Sequence, residues 1–190
     1  MVWRSDDGTI EHCALTLRDS GCSLVGTVLG VADGLPVRIE YRVLTDAAGL
    51  TTAAHVRQLR GYEQRTLALA RDSKGGWSVD GAPVRALRGC TDADLECTPS
   101  TNTLPIHRIR FAVGSEQAIR VAWVRFPQLT VEQASQTYRR LDEATYHFAS
   151  AAWEGELAVD DVGLVTRYDG WQRTGIAIGP EESEPLDASR

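Results

Sequence analysis

From Pro36 onward, hydrophobic and polar positions alternate: Val37, Ile39, Tyr41 and Val43 fall on one side, Arg38, Glu40 and Arg42 on the other. A period of two marks a strand with one face buried. Asp46-Ala47-Ala48-Gly49 has turn chemistry, and Leu50, Thr52, Ala54 and Val56 then alternate with Thr51, Ala53, His55 and Arg57. An antiparallel hairpin is expected. Downstream, Leu67 and Leu69 lead into Asp72-Ser73-Lys74-Gly75-Gly76, and Trp77 and Val79 precede a turn at Asp80-Gly81. Ile109, Phe111 and Val113 read as a further strand, Gly114-Ser115 as its turn, and Ile119, Val121 and Trp123 as the return. The pattern predicts an all-β, mainly antiparallel fold.

One segment carries a different period. Val131, Ala134, Tyr138 and Leu141 are spaced three or four apart behind Thr130, which is a helix-like arrangement with an N-cap residue in place. An internal echo also appears, since 43–52 and 157–166 share the pattern Asp-x-x-Gly-Leu-x-Thr. It reads either as an old duplication or as the residues that such a turn selects. Residues 1–178 read as one domain. Residues 179–190 have too few apolar side chains to offset their ordering entropy, so a flexible acidic tail is expected.

Composition narrows the function classes. At 190 residues and 43% hydrophobic content, the chain can bury a core without staples. Cys13, Cys22, Cys90 and Cys97 include no Cys-x-x-Cys pair, and the N-terminus lacks the basic-then-apolar pattern of a secretory signal. A reduced cytoplasmic protein is expected. No apolar run approaches the ~20 residues of a membrane-spanning helix. The net charge of −6, with dispersed basic residues, argues against nucleic acid as a partner. Lys74 is the only lysine among the basic residues, a bias that a GC-rich genome produces, although single arginines in a pocket can still clamp an anion.

The polar segment 89–106 stands out because a hairpin needs only a few connecting residues. Asp92, Asp94 and Glu96 alternate, which in extended backbone puts three carboxylates on one side, with Asn102 and several hydroxyls close behind. Four readings compete. The acids suit a hard cation, though without EF-hand spacing, or a glycosidase pair roughly 5 to 9 Å apart. Alternatively, the segment bonds its own backbone as a rigid insertion, or it hydrogen-bonds the hydroxyls of a carbohydrate-like head group. His12, His55, His107 and His147 lack the spacing of a helical metal pair, but His55 or His107 beside Asp92 or Asp94 would make a general-base dyad. Ser100 lies outside any Gly-x-Ser-x-Gly elbow. Tyr41, Trp77, Phe111, Trp123, Tyr146, Phe148, Trp153 and Tyr168 serve as core or as the wall of a cavity.

The run Gly-Cys-Thr-Asp-Ala-Asp-Leu from Gly89, continued by Thr-Pro-Ser-Thr-Asn-Thr-Leu-Pro from Thr98, resembles the bacterial family described as "Putative glycolipid-binding". Supporting segments are Gly75-Gly-Trp-Ser-Val-Asp-Gly81, Arg125-Phe-Pro127, Val159-Asp-Asp-Val-Gly-Leu-Val165 and Tyr168-Asp-Gly-Trp171. The resemblance implies a strongly curved sheet, a β-roll or half-barrel somewhat like the lipoprotein carriers, with few short helices. It also implies that Phe126 to Arg140 runs extended, against the helical period.

The expectation that follows is a non-catalytic protein that binds a small amphipathic, glycolipid-like ligand, with the polar loop 89–106 at the mouth of an apolar cavity. Asp92, Asp94, Thr101, Asn102, Thr103, Arg108 and Arg110 are the expected ligand contacts, without metal or cofactor. The alternative is a sugar- or lipid-directed hydrolase or isomerase that uses a loop aspartate with a histidine. A third reading makes the loop a self-association element.

Overall fold

The computed structural model describes residues 1–177 of the chain, so the expected tail at 179–190 lies outside the described residues. Fifteen strands form one sheet. They are β1 (Val2–Ser5), β2 (Ile10–Arg18), β3 (Gly21–Ala32), β4 (Leu35–Thr45), β5 (Thr51–Arg60), β6 (Glu63–Arg71), β7 (Trp77–Val79) and β8 (Ala82–Pro83). Then follow β9 (Asp92–Leu95), β10 (Glu116–Arg125), β11 (Thr130–Arg140), β12 (Thr145–Ser150), β13 (Glu154–Val159), β14 (Val165–Tyr168) and β15 (Trp171–Gly175). One helix, α1 (Thr103–Ile109), and two 3-10 turns, Arg85–Leu87 and Ser100–Asn102, interrupt them. Among the described residues no helix is long and apolar enough to cross a membrane.

The sheet runs from β8 through neighbouring strands to β1, passes to β15, and returns in order to β10 and β9. Pairing of β1 with β15 joins two meanders, and Trp3 Nε1 donates across the junction to the Val165 carbonyl at 3.0 Å. Among these pairings only β9 with β10 is parallel. A parallel neighbour cannot be reached by a tight turn, because the chain must return to the end from which it started. Residues 96–115, with the second 3-10 turn and α1, make that crossover.

Hydrophobic positions explain how the sheet curls. Cys13, Leu24, Val28, Ile39, Tyr41, Val43, Val56, Leu69 and Trp77 line one face of the N-terminal meander, and Ala93, Leu95, Ala122 and Val124 pack into the same core. Ile119 and Val121 on β10 instead join Tyr138, Tyr146, Phe148, Leu157 and Val165 in a second core. β10 is therefore buried on both faces near its C-terminal end. The β9–β10 edge of the second meander lies inside the concavity of the first, so the single sheet winds as a roll.

The hairpin at 37–56 forms as β4 and β5, with one departure. A register shift between Leu44 and Thr45 turns Thr51 inward, where it is fully buried, in place of Leu50 and Thr52. Such a bulge re-aims a side chain. Thr51 Oγ1 accepts from Ala93 N at 3.0 Å, and Thr51 N donates to the Thr91 carbonyl at 3.1 Å. The strand expected at Ile109, Phe111 and Val113 is absent; Ile109 ends α1 and the next residues are irregular, although Phe111 is buried against Tyr146. Of the helix-like segment 131–142, residues 131–140 are extended in β11, as the resemblance implied.

Candidate functional site

Most of the loop's polar side chains point into the roll. Ser100, Thr101, Asn102 and Thr103 are buried, and two hydrogen-bonded groups hold the loop to opposite halves of the sheet. On the N-terminal side, Thr98 Oγ1 lies 2.7 and 2.6 Å from the two carboxylate oxygens of Glu11. Tyr41 donates a hydrogen bond to the same carboxylate, and its hydroxyl also meets Ser100 Oγ at 2.7 Å. Glu11 is fully buried on β2. Burial pushes its carboxyl up to about 7, an effect that the Thr98, Tyr41 and Ser100 hydroxyls offset only in part.

On the C-terminal side, Asp94 accepts from Thr101 Oγ1 and from Gln136 Nε2, each at 2.7 Å. Tyr138 donates to Asn102 Oδ1 at 2.7 Å. Burial raises the Asp94 carboxyl above its usual range, against the lowering effect of the two donors. Glu96 turns elsewhere and accepts from Arg125 Nε at 3.1 Å and from Phe126 N at 2.8 Å. The three alternating carboxylates thus serve three separate sets of partners. Among the described residues no three His, Cys, Asp or Glu side chains converge as metal ligands, and all four cysteines are free.

A pocket of about 330 Å³ lies between α1, the β2–β3 end and the turn at 46–49. Leu15, Leu17 and Leu104 form its apolar wall; Thr103, His107, Arg108 and Arg110 face it from α1 and its C-cap. Arg108 is held from behind, with Nη2 2.5 Å from Asp92 Oδ2 and 3.3 Å from Thr91 Oγ1. Burial raises the Asp92 carboxyl, and the Arg108 guanidinium opposes that rise. Gly49 lets the turn close against this side chain: its φ is +76°, and an added Cβ would stand 3.0 Å from Arg108 Cβ.

Three of the expected ligand residues, Thr103, Arg108 and Arg110, therefore share one pocket, and Asp92 stands directly behind Arg108. Asp94, Thr101 and Asn102 belong to the interior group. Glu11, Leu15 and Leu17 are absent from the expected site, because inward Glu11 and Cys13 on β2 do not look like a hydrophobic face; Tyr41, expected as core or cavity wall, is buried against Glu11. His107 hydrogen-bonds neither Asp92 nor Asp94. His55 is exposed on the outer face of β5, beside a wider concavity that Thr27, Arg42 and Arg57 also line. The dyad of the hydrolase reading is not assembled.

The two echoed turns flank α1. In each, the aspartate Oδ1 accepts from residues two and four positions on: Ala48 and Leu50 for Asp46, Val162 and Leu164 for Asp160. Asp72 binds Lys74 and Gly76 in the same way without the Leu-x-Thr ending. A third copy outside the echo favours turn chemistry over duplication as its cause.

The fold has a solved counterpart, a DUF1089 family protein from Pseudomonas aeruginosa, which is 33% identical with a TM-score of 0.78 over 90% of this chain and 95% of that one. No curated protein matches. The family model described as "Putative glycolipid-binding" matches residues 1–173. On that coverage, the chain belongs to the "Putative glycolipid-binding" family.

Proposed function

We infer that the protein is a non-catalytic binder of a small amphipathic, glycolipid-like molecule, seated in the pocket between α1 and the β2–β3 end. The observation that carries this reading is the meeting, in one space of about 330 Å³, of an apolar wall with hydroxyl and guanidinium groups. That combination suits a ligand with both characters, and the size suits a head group with part of one chain. Thr103, Arg108 and Arg110 make the polar contacts, Asp92 orients Arg108, and Asp94, Thr101 and Asn102 hold the loop that carries them. The segment 89–106 forms the mouth of the site through its last residues. Four free cysteines support a cytoplasmic location.

Native mass spectrometry of the freshly purified protein, repeated after organic extraction, tests the reading. A discrete added mass removed by extraction is expected. Leu17 is mostly exposed, so Leu17→Glu puts a charge on the apolar wall without disturbing the core, and it should abolish the added mass. Retention of that mass in Leu17→Glu refutes the assignment of the pocket.

A further inference from the structure

The pocket's polar side chains are unbalanced. Arginine offers five N–H donors and no acceptor, and Arg108 and Arg110 both face the cavity. Among the described residues the one carboxylate in the lining is Asp46, which uses Oδ1 to hold its own turn. Within the Arg108–Asp92 pair, Arg108 Nε and Asp92 Oδ1 are buried without hydrogen-bond partners. Arg110 makes no side-chain hydrogen bond or ion pair among the described residues. It is also held at φ 51° and ψ 55°, in the left-handed region, as the C-cap of α1. Glycine or asparagine is the ordinary residue there, and a strained arginine whose head is unpaired beside a cavity is a mark of function.

Sugar hydroxyls are recognised by donors and acceptors together, commonly beside an aromatic face. Among the described residues no Trp, Tyr or Phe lines this pocket, and carboxylate acceptors are fewer than guanidinium donors. An oxyanion is what a set rich in donors and poor in acceptors complements. We propose that the pocket selects an anionic head group, whose phosphate, sulfate or carboxylate oxygens are held by Arg108 and Arg110. A chain of net charge −6 thereby presents a local cationic site to an acidic amphiphile. This specificity rests on the reading of the pocket as the ligand site.

Calorimetric titration of the full chain with octyl phosphate, octyl glucoside and inorganic phosphate separates the two claims. Octyl phosphate should bind at least about tenfold more tightly than octyl glucoside, and Arg110→Gln should remove that preference. Arg110→Gly, which relieves the left-handed backbone, should melt no lower than the wild type and lose the same preference, which excludes misfolding as the cause. Equal binding of both octyl compounds, unaffected by Arg110→Gln, overturns the anionic head group while the amphiphile site stands. Inorganic phosphate binding as tightly as octyl phosphate upholds the oxyanion site and removes the amphiphile. Failure of all three probes to bind overturns both.

Discussion

Glu11 allows a test in which one carboxyl sets the pH dependence of stability. The group is fully buried and titrates in the folded protein at about 7, against an ordinary 4.5. A folded-state value above the unfolded one means that its contribution is fully present below pH 4.5 and is lost as pH rises through 7. At 1.36 kcal/mol for each pH unit, the loss totals about 3 kcal/mol, most of which falls between pH 5 and pH 8. Glu11→Gln keeps the size and an acceptor for Tyr41 but cannot ionise. Other acids raised by burial, such as Asp92 and Asp94, titrate alike in both proteins and drop out of the difference. Urea denaturation at pH 5, 6, 7 and 8 should show the variant gaining on the wild type by about 2 to 3 kcal/mol across the range. A difference that stays level with pH refutes the argument, because Glu11 would then not change protonation on unfolding within that window.

Other substitutions probe the packing around Glu11 and around the pocket. Gly26→Ala would put a Cβ 2.3 Å from the Tyr41 hydroxyl and ring; the ring is buried and bonded to Glu11, so a loss of about 3 kcal/mol is expected in denaturation. Arg108→Ala leaves Asp92 buried without its cation and should cost about 3 to 5 kcal/mol near neutral pH. Because burial already raises the Asp92 carboxyl, that cost should shrink as pH falls and the acid takes a proton. Gly49→Ala combines a left-handed φ with the contact to Arg108, and should lower stability by about 1 to 2 kcal/mol.

Much of the sheet was legible because it is half-buried in the ordinary way: β4, β6 and β7 present apolar side chains inward and polar ones outward. β11 was hard to read for a specific reason. Its inward positions are Gln136 and Tyr138, and Gln136 sits in the interior because Asp94 needs a donor. A glutamine on the core face hides the period of two, and chance spacing of Val131, Ala134, Tyr138 and Leu141 supplied a helical one. Ile109 and Phe111 misled in the other direction. Two apolar residues at alternate positions suggest a strand, but one ends a helix and the other plugs the second core from irregular chain. The pocket itself was half legible, since α1 and its cap contribute Thr103, Arg108 and Arg110, whereas Leu15 and Leu17 arrive from a strand distant in sequence. Nothing local in the chain announces that meeting.

The length of the central loop no longer argues for function by itself. A parallel β9–β10 pair requires a long return path, and the hydroxyls, amides and acids between Asp92 and Asn102 hold that path between the two halves of the roll. Topology and internal hydrogen bonding thus account for most of what made the segment conspicuous. What they leave unexplained is small and specific. Arg110 has no side-chain partner among the described residues and a backbone conformation that favours another residue, and Arg108 is fastened at one nitrogen beside the same cavity. Polar groups that the fold leaves unpaired, gathered at one opening with an apolar wall, are where selection for a ligand leaves its trace.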